Sequence, residues 1–179
     1  MKRGYAEIAE GQVHYVIDGS GEPLLLLHRS PRSWTSYRRV LPLVARSRRV
    51  IAMDTLGFGN SDLAPPDFTL ADYAESVVHF LDALGIEKTD IWGSMTGAMI
   101  AIELAIRWPQ RVRRLVLMGV PIFLTLEERE AHMVVLAKSW ANFAPNAEGS
   151  FLIDIWKWAQ HKAQIAPDDH LDPLWRGLP

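Results

Sequence analysis

The chain has 179 residues, of which 49% are apolar and 22% charged, and its formal net charge is −2 at pH 7. This length suits a single domain, the apolar fraction excludes intrinsic disorder, and the small net charge gives no reason to expect nucleic acid or an anionic membrane as a partner. The sequence contains no cysteine, which excludes disulfides and a cysteine nucleophile. No apolar run approaches the roughly 20 residues of a membrane span, so we expect a cytoplasmic protein.

The first part of the sequence predicts strands that enter a buried sheet. Alternating residues over Tyr5–Ala9 and Val13–Ile17 predict a hairpin, because turn residues separate and follow them. The purely apolar run Leu24–Leu27 predicts a strand that is covered on both faces, as in a parallel sheet. A short helix is expected from about Ser36 to Val44, and Val50–Met53 predicts a second buried strand.

The middle of the chain alternates between helices and strands. Apolar residues at helical spacing predict a helix from Leu70 to Leu84, which Thr69 begins as a cap with Asp72 as its capping-box partner. The elements expected after it are a strand over Thr89–Trp92, a tight turn over 93–98, an almost wholly apolar helix over Ala98–Trp108 and a strand over Val112–Met118.

This order of elements, β-β-β-α-β-α-β-α-β, predicts an α/β fold with a doubly wound, mostly parallel sheet. The catalytic loops of such a sheet lie at the carboxyl ends of its strands, which here are followed by the segments 28–33, 54–62, 93–98 and 119–123. Beyond Pro121 the sequence predicts two helices, over Leu126–Ala141 and Ser150–His161, and no further strand. We therefore expect a core over 1–123 and a helical region with an irregular tail over 124–179.

Three of these segments, taken in register along the chain, resemble the α/β-hydrolase superfamily. Leu24–Ser33 looks like the strand and oxyanion loop of that family, Asp54–Asp62 like its Asp-x-x-Gly-x-Gly-x-Ser-Asp loop, and Ile91–Ala105 like its strand, elbow and following helix. The resemblance runs from about Tyr5 to Val120 and is closest to the branch of epoxide hydrolases and haloalkane dehalogenases. It implies hydrolysis of a small apolar ester, epoxide or haloalkane without a cofactor or a metal, and it identifies the later helices as the start of a lid.

The elbow departs from the family at the nucleophile. The family pattern is Gly-x-nucleophile-x-Gly, because the sharp turn from strand to helix leaves no room for side chains beside the nucleophile. Gly93 and Gly97 set this frame, and Met95 occupies the nucleophile position, where a thioether cannot form the ester intermediate of a serine or an aspartate. Ser94 remains an alternative as a displaced nucleophile; the other interpretation is a small residue that packs beside the turn.

The oxyanion loop and the aspartate loop supply the other candidate site residues. Arg29 stands where the family usually has glycine, and it either holds an anionic ligand or points to solvent. The resemblance implies that the backbone N–H groups of Ser30 and Thr96 donate to the oxyanion and that His28 supports the loop. Asp54 ends a strand, and it either faces the site or shapes its own loop through a hydrogen bond.

A histidine base is not found at a catalytic position of the sequence. In the family, a further strand delivers the acid and a loop after the last strand delivers the histidine, whereas no strand is predicted after Met118. The remaining histidines are expected to be surface or packing residues: His14, His79, His132, His161 and His170. The tail residues Asp168, Asp169, His170 and Asp172 lack the spacing of a metal site. The candidates to line an apolar pocket are Trp34, Trp156, Trp158 and Trp175.

The sequence therefore predicts an α/β-hydrolase-fold protein with impaired catalysis, a pseudoenzyme that still takes a small apolar molecule. A non-catalytic ligand-binding or interaction module and a truncated relic of a longer hydrolase remain as alternatives. A sheet that ends at Val112–Met118 presents an unpaired strand edge, which predicts self-association or a partner chain.

Overall fold

The computed structural model describes residues 1–141 and 146–163 of the chain. The chain divides into two compact units, of which the first is Met1–Val120 and the second begins at Pro121. The sheet and the loops at its edges lie in the first unit. None of the helices that the structure describes is long and apolar enough to cross a membrane.

Six strands form one sheet in the first unit. They are β1 (Lys2–Ile8), β2 (Gly11–Asp18), β3 (Pro23–Leu27), β4 (Arg49–Met53), β5 (Thr89–Ser94) and β6 (Val112–Met118). Their spatial order is β1-β2-β4-β3-β5-β6; the hairpin of β1 and β2 joins antiparallel to β4, and the other pairs are parallel. The predicted fold class, an α/β fold with a mostly parallel sheet, is confirmed.

The sheet separates two apolar clusters, because side chains alternate between its faces along each strand. One face packs on helices α2 (Leu70–Ala83) and α3 (Thr96–Arg107), and the other packs on the 3₁₀ helix Trp34–Tyr37 and helix α1 (Leu41–Val44). The buried apolar strand residues on the first face are Ala6, Val13, Leu25, Leu27, Ile51, Met53 and Ile91, and those on the second are Val16, Leu24, Leu26, Val50 and Ala52. Strands β3 and β4 are therefore covered on both faces, as their apolar runs predict.

Helix α2 begins where the sequence predicts. The Thr69 N–H donates to Asp72 Oδ2 at 2.7 Å and the Asp72 N–H donates to Thr69 Oγ1 at 3.3 Å, which together form a capping box. The Thr69 hydroxyl also donates to Asp72 Oδ2 at 2.6 Å. This bond and those from backbone N–H groups hold the pKa of Asp72 below its ordinary value. Gly85 follows the helix with φ +65°, a left-handed conformation that glycine adopts without a side-chain penalty.

The helix predicted from about Ser36 to Val44 is wrong. The structure has instead the 3₁₀ helix Trp34–Tyr37, which Ser33 caps, followed by only the four residues of α1. Pro42 explains the interruption, because proline cannot donate a backbone hydrogen bond inside a helix but fits the first turn of a new one. Other boundaries differ by a few residues, and β5, for example, runs beyond the predicted strand to Ser94.

The second unit contains the two predicted helices, α4 (Leu126–Ala141) and α5 (Ser150–Ala163). Before α4, the Leu124 N–H donates to Glu128 Oε2 at 2.8 Å and the Glu128 N–H donates to Thr125 Oγ1 at 3.1 Å. This pair of bonds satisfies donors that a helix start leaves free. The predictions for Trp156, Trp158, His161, Asp168, Asp169, His170, Asp172 and Trp175 concern side chains outside the described residues.

Candidate active site

A sharp turn joins β5 to α3, and two glycines make it possible. A Cβ added to Gly93 would lie 2.4 Å from the carbonyl oxygen of Gly97, and a Cβ added to Gly97 would lie 2.1 Å from the carbonyl oxygen of Leu27. Between these glycines Met95 adopts φ 49° and ψ −109°, a conformation that residues with side chains rarely take. The backbone is therefore that of a nucleophile elbow, and methionine stands at its apex.

The Met95 side chain is presented at this turn and is 46% exposed. Its N–H donates to the carbonyl of Met118 at 2.7 Å, which ties the elbow to the end of β6. A Cβ at Gly119 would lie 3.1 Å from Met95 Cγ, and Arg29 Nη1 lies 3.8 Å from Met95 Sδ. A thioether, which has no proton to lose, thus occupies the position from which a nucleophile would attack.

Ser94, the alternative nucleophile, belongs to strand β5 and does not stand at the apex. It pairs in register with Met118 on β6, and it is 8% exposed. The strained conformation that projects a side chain from the elbow is adopted by the next residue, Met95. The position of Ser94 is thus that of a small residue beside the turn.

The oxyanion loop packs against the first residue of α3. The Ser30 N–H donates to Thr96 Oγ1 at 3.4 Å, so the two residues from which backbone donors are predicted lie side by side. Thr96 is in the first helical turn, whose N–H groups have no acceptor within the helix. Arg29, between His28 and Ser30, is exposed.

His28 supports this loop as a neutral side chain. Its Nδ1 lies 3.0 Å from the carbonyl oxygen of Arg29, which can only accept, so Nδ1 carries the proton. Its Nε2 then accepts from the Thr55 N–H at 3.1 Å. Burial lowers the pKa of His28, which is 1% exposed, and favours this neutral form. With both ring nitrogens in use, His28 holds two loops together.

The Asp54 carboxylate is enclosed by its surroundings. The Trp34 N–H donates to Oδ1 at 2.6 Å, the Asn60 N–H donates to Oδ2 at 3.1 Å, and His14 Nδ1 lies 2.9 Å from Oδ2. A Cβ at Gly59 would lie 2.2 Å from Oδ2, so only glycine fits beside this carboxylate. These contacts are those expected if Asp54 shapes its own loop.

The pair of His14 and Asp54 is the feature that the sequence does not reveal. The residues are 40 apart along the chain, and they meet because β2 pairs antiparallel with β4. Ser61 links them further, since its Oγ accepts from the His14 N–H at 2.9 Å and donates to the Asp54 carbonyl at 2.7 Å. Only the strand order, with β2 beside β4, could have pointed to this pair.

The other predicted candidates have different surroundings. His79 on α2 is half-buried, with Nδ1 2.7 Å from Oε1 of Glu10 in the turn between β1 and β2, and His132 is exposed in the second unit. Trp34 is only 4% exposed, so it is part of the core and does not line an open pocket. A cavity of about 560 Å³, which Arg111 lines, lies at the amino ends of β5 and β6, away from the elbow. Among the described residues there is no cluster of potential metal ligands.

Comparison with known proteins gives consistent matches over the sheet. The sequence profile of the family described as alpha/beta hydrolase fold matches residues 22–154. The chain is 48% identical over 105 residues to the 2-hydroxymuconate semialdehyde hydrolase of Pseudomonas sp. (strain CF600), a match that covers 56% of this chain and 37% of the relative. It is 33% identical over 126 residues to bifunctional epoxide hydrolase 2 of Sus scrofa, covering 68% of this chain and 22% of the relative.

Solved structures show the same similarity. The epoxide hydrolase CorEH aligns with a TM-score of 0.66 at 26% identity, over 91% of this chain and 53% of that chain. The N-acyl homoserine lactonase AidH, in complex with N-butanoyl homoserine, aligns with a TM-score of 0.64 at 29% identity, over 68% of this chain and 46% of that chain. The chain thus spans about half the length of these two structures.

Proposed function

This chain belongs to the α/β-hydrolase fold family, and from that premise we propose that it is a catalytically impaired member that still binds a small molecule at the elbow. The two relatives compared above are hydrolases by name. The family activity that we propose to be impaired in this chain is the hydrolysis of a small apolar ester, epoxide or haloalkane. The observation that supports the proposal is Met95 at the apex of the elbow, with φ 49° and an exposed thioether.

Hydrolysis through a covalent intermediate requires a group that forms an ester and releases it to water. A serine or aspartate oxygen does this, whereas a bond from the Met95 sulfur to carbon would give a sulfonium. The backbone donor expected from Thr96 is unaffected by the side chain at the apex and can still bind a carbonyl oxygen, whereas the Ser30 N–H already donates to Thr96 Oγ1. Binding without turnover is therefore the function that this site supports.

Ser94 offers a route by which covalent catalysis could persist. Its burial and its place within β5 argue against that route, because the side chain projected by the elbow is that of Met95. The Ser94→Ala substitution removes this hydroxyl at little cost in volume. It is therefore the variant that separates the two interpretations.

The proposal predicts that p-nitrophenyl acetate, styrene oxide and 1-bromobutane react no faster with the protein than in buffer, because the covalent step has no nucleophile. Initial rates measured against substrate concentration test this, with Ser94→Ala as the matched variant. Saturable turnover by the unmodified protein would contradict impairment. Loss of that turnover in Ser94→Ala would assign the activity to the displaced serine, and its persistence would assign it to another group.

A further inference from the structure

Two arginines stand on the loop that follows β3. Arg29 and Arg32 are joined by a turn in which the Arg32 N–H donates to the Arg29 carbonyl at 2.9 Å. The Arg29 side chain is exposed and Arg32 is partly buried. Position 29 usually holds glycine in the family, so the Arg29 guanidinium is an additional group beside the elbow of this chain.

The described residues supply no carboxylate that forms an ion pair with either arginine. Asp54, which ends the neighbouring strand β4, is buried and already accepts from His14, Trp34 and Asn60. Burial, and then the positive charge of Arg29, lower the pKa of Arg32. Because the chain as a whole has a net charge of −2, this concentration of positive charge is local and does not reflect a basic protein.

The Arg29 guanidinium lies beside the elbow. Arg29 Nη1 is 3.8 Å from Met95 Sδ, and the intervening loop residue Ser30 contacts Thr96 at the start of α3. A thioether is a weak acceptor and engages one of the five N–H donors of a guanidinium, so the other donors remain available. The loop lies at the carboxyl ends of parallel strands, where ligands of α/β sheets bind.

We propose that Arg29 and Arg32 bind the carboxylate of a small organic acid at the elbow, with the Met95 side chain against its apolar part. A guanidinium matches a carboxylate through two parallel hydrogen bonds, and a carboxylate would offset the repulsion between the two arginines. The inference rests on the proposed function for its binding site at the elbow and adds the chemical class of the ligand.

Binding of butyrate and of its neutral isostere butyramide tests this directly. Isothermal titration at constant ionic strength should give saturable binding of butyrate and binding of butyramide that is at least about tenfold weaker, because the charge-assisted bonds are lost. Arg29→Gln and Arg32→Gln should each weaken butyrate binding by about tenfold or more, and Arg29→Lys by less, because lysine keeps the charge without the paired donors.

Arg46→Gln is the matched control, because Arg46 is exposed on the loop at the amino end of β4, whereas Arg29 follows the carboxyl end of β3. It should leave butyrate binding unchanged. The inference is overturned if the unmodified protein does not bind butyrate, if butyramide binds as tightly, or if Arg46→Gln weakens binding as much as Arg29→Gln. These outcomes concern binding alone, so they are distinguishable from failure of the proposed function, which would be seen as turnover in the hydrolysis assay.

Discussion

At the scale of single residues, the elbow keeps its geometry independently of the side chain at its apex. Glycine is required at positions 93 and 97 because a Cβ there would collide with the carbonyl oxygens of Gly97 and Leu27, respectively. None of these atoms belongs to the side chain of Met95. A substitution at residue 95 should therefore change the chemistry of the site while the turn between β5 and α3 stays in place.

Met95→Asp should place a carboxylate at the apex that reacts once. We expect incubation with 1-bromobutane to give a single stable adduct on the peptide containing residue 95, because the described contacts of this side chain are Arg29 and Gly119 and include no base to activate water. Mass spectrometry of the digested protein measures this. Met95→Asn is the control, since an amide of the same shape should remain unmodified. Repeated turnover by Met95→Asp would show that a base does act at the elbow.

At the scale of secondary-structure elements, boundaries follow local hydrogen bonding more closely than apolar pattern. The capping box of Thr69 and Asp72 fixes the start of α2 where the sequence predicts it. The region from Ser36 to Val44 has apolar residues at suitable spacing, yet Pro42 divides it. A helix prediction from apolar spacing must therefore also take account of the capping residues at the start of the helix and of any proline within it.

The capping box makes the stability of α2 depend on pH. Hydrogen bonds lower the pKa of Asp72 in the folded protein below its unfolded value of about 3.9, so its contribution is present above that pH and is lost as the pH falls through the folded pKa. Asp72→Asn should lower the urea midpoint at neutral pH and lower it by less at about pH 2, because the wild-type carboxyl takes up its proton as the pH falls through its lowered pKa. Glu75→Gln, on the exposed side of the same helix, is the control. An equal decrease at both pH values would contradict a role for the charge.

At the scale of the whole molecule, the two edges of the sheet differ in character. The outer strand β1 has charged, exposed residues at Lys2, Arg3 and Glu7, which discourage pairing with another strand. Strand β6 instead exposes Val116, Leu117 and Met118, at 54%, 40% and 51%. Among the strands that the structure describes, β6 pairs only with β5, so these apolar residues lie on an open edge, where we predict self-association. The cytoplasmic location and the division at residue 123 stay predictions.

We predict that the protein forms dimers or larger species whose proportion rises with concentration, as measured by size-exclusion chromatography with light scattering. Val116→Lys should shift the distribution toward monomer, because a charged side chain on an exposed edge opposes strand pairing. Leu63→Lys provides a comparison, since Leu63 is 72% exposed but lies in a loop outside the sheet. A monomeric unmodified protein, or an equal effect of both substitutions, would rule out association through β6.

Much of this fold follows from the sequence because its signals are local. The run Leu24–Leu27 predicts a strand covered on both faces, and the frame of Gly93 and Gly97 predicts the elbow, since each signal can be recognised within a few consecutive residues. The pairing of His14 with Asp54 could not be predicted in this way. It depends on β2 lying beside β4, a contact between distant segments that no short pattern encodes.

The elbow has a practical consequence for labelling the protein. The chain contains no cysteine, so Met95→Cys would introduce its sole thiol, at a side-chain position that is 46% exposed. The neighbouring Arg29 guanidinium would favour the thiolate, the form that reacts with maleimides and disulfide reagents. A fluorophore or a tethered fragment could thus be attached at one defined point, on a backbone that its two glycines already hold in shape.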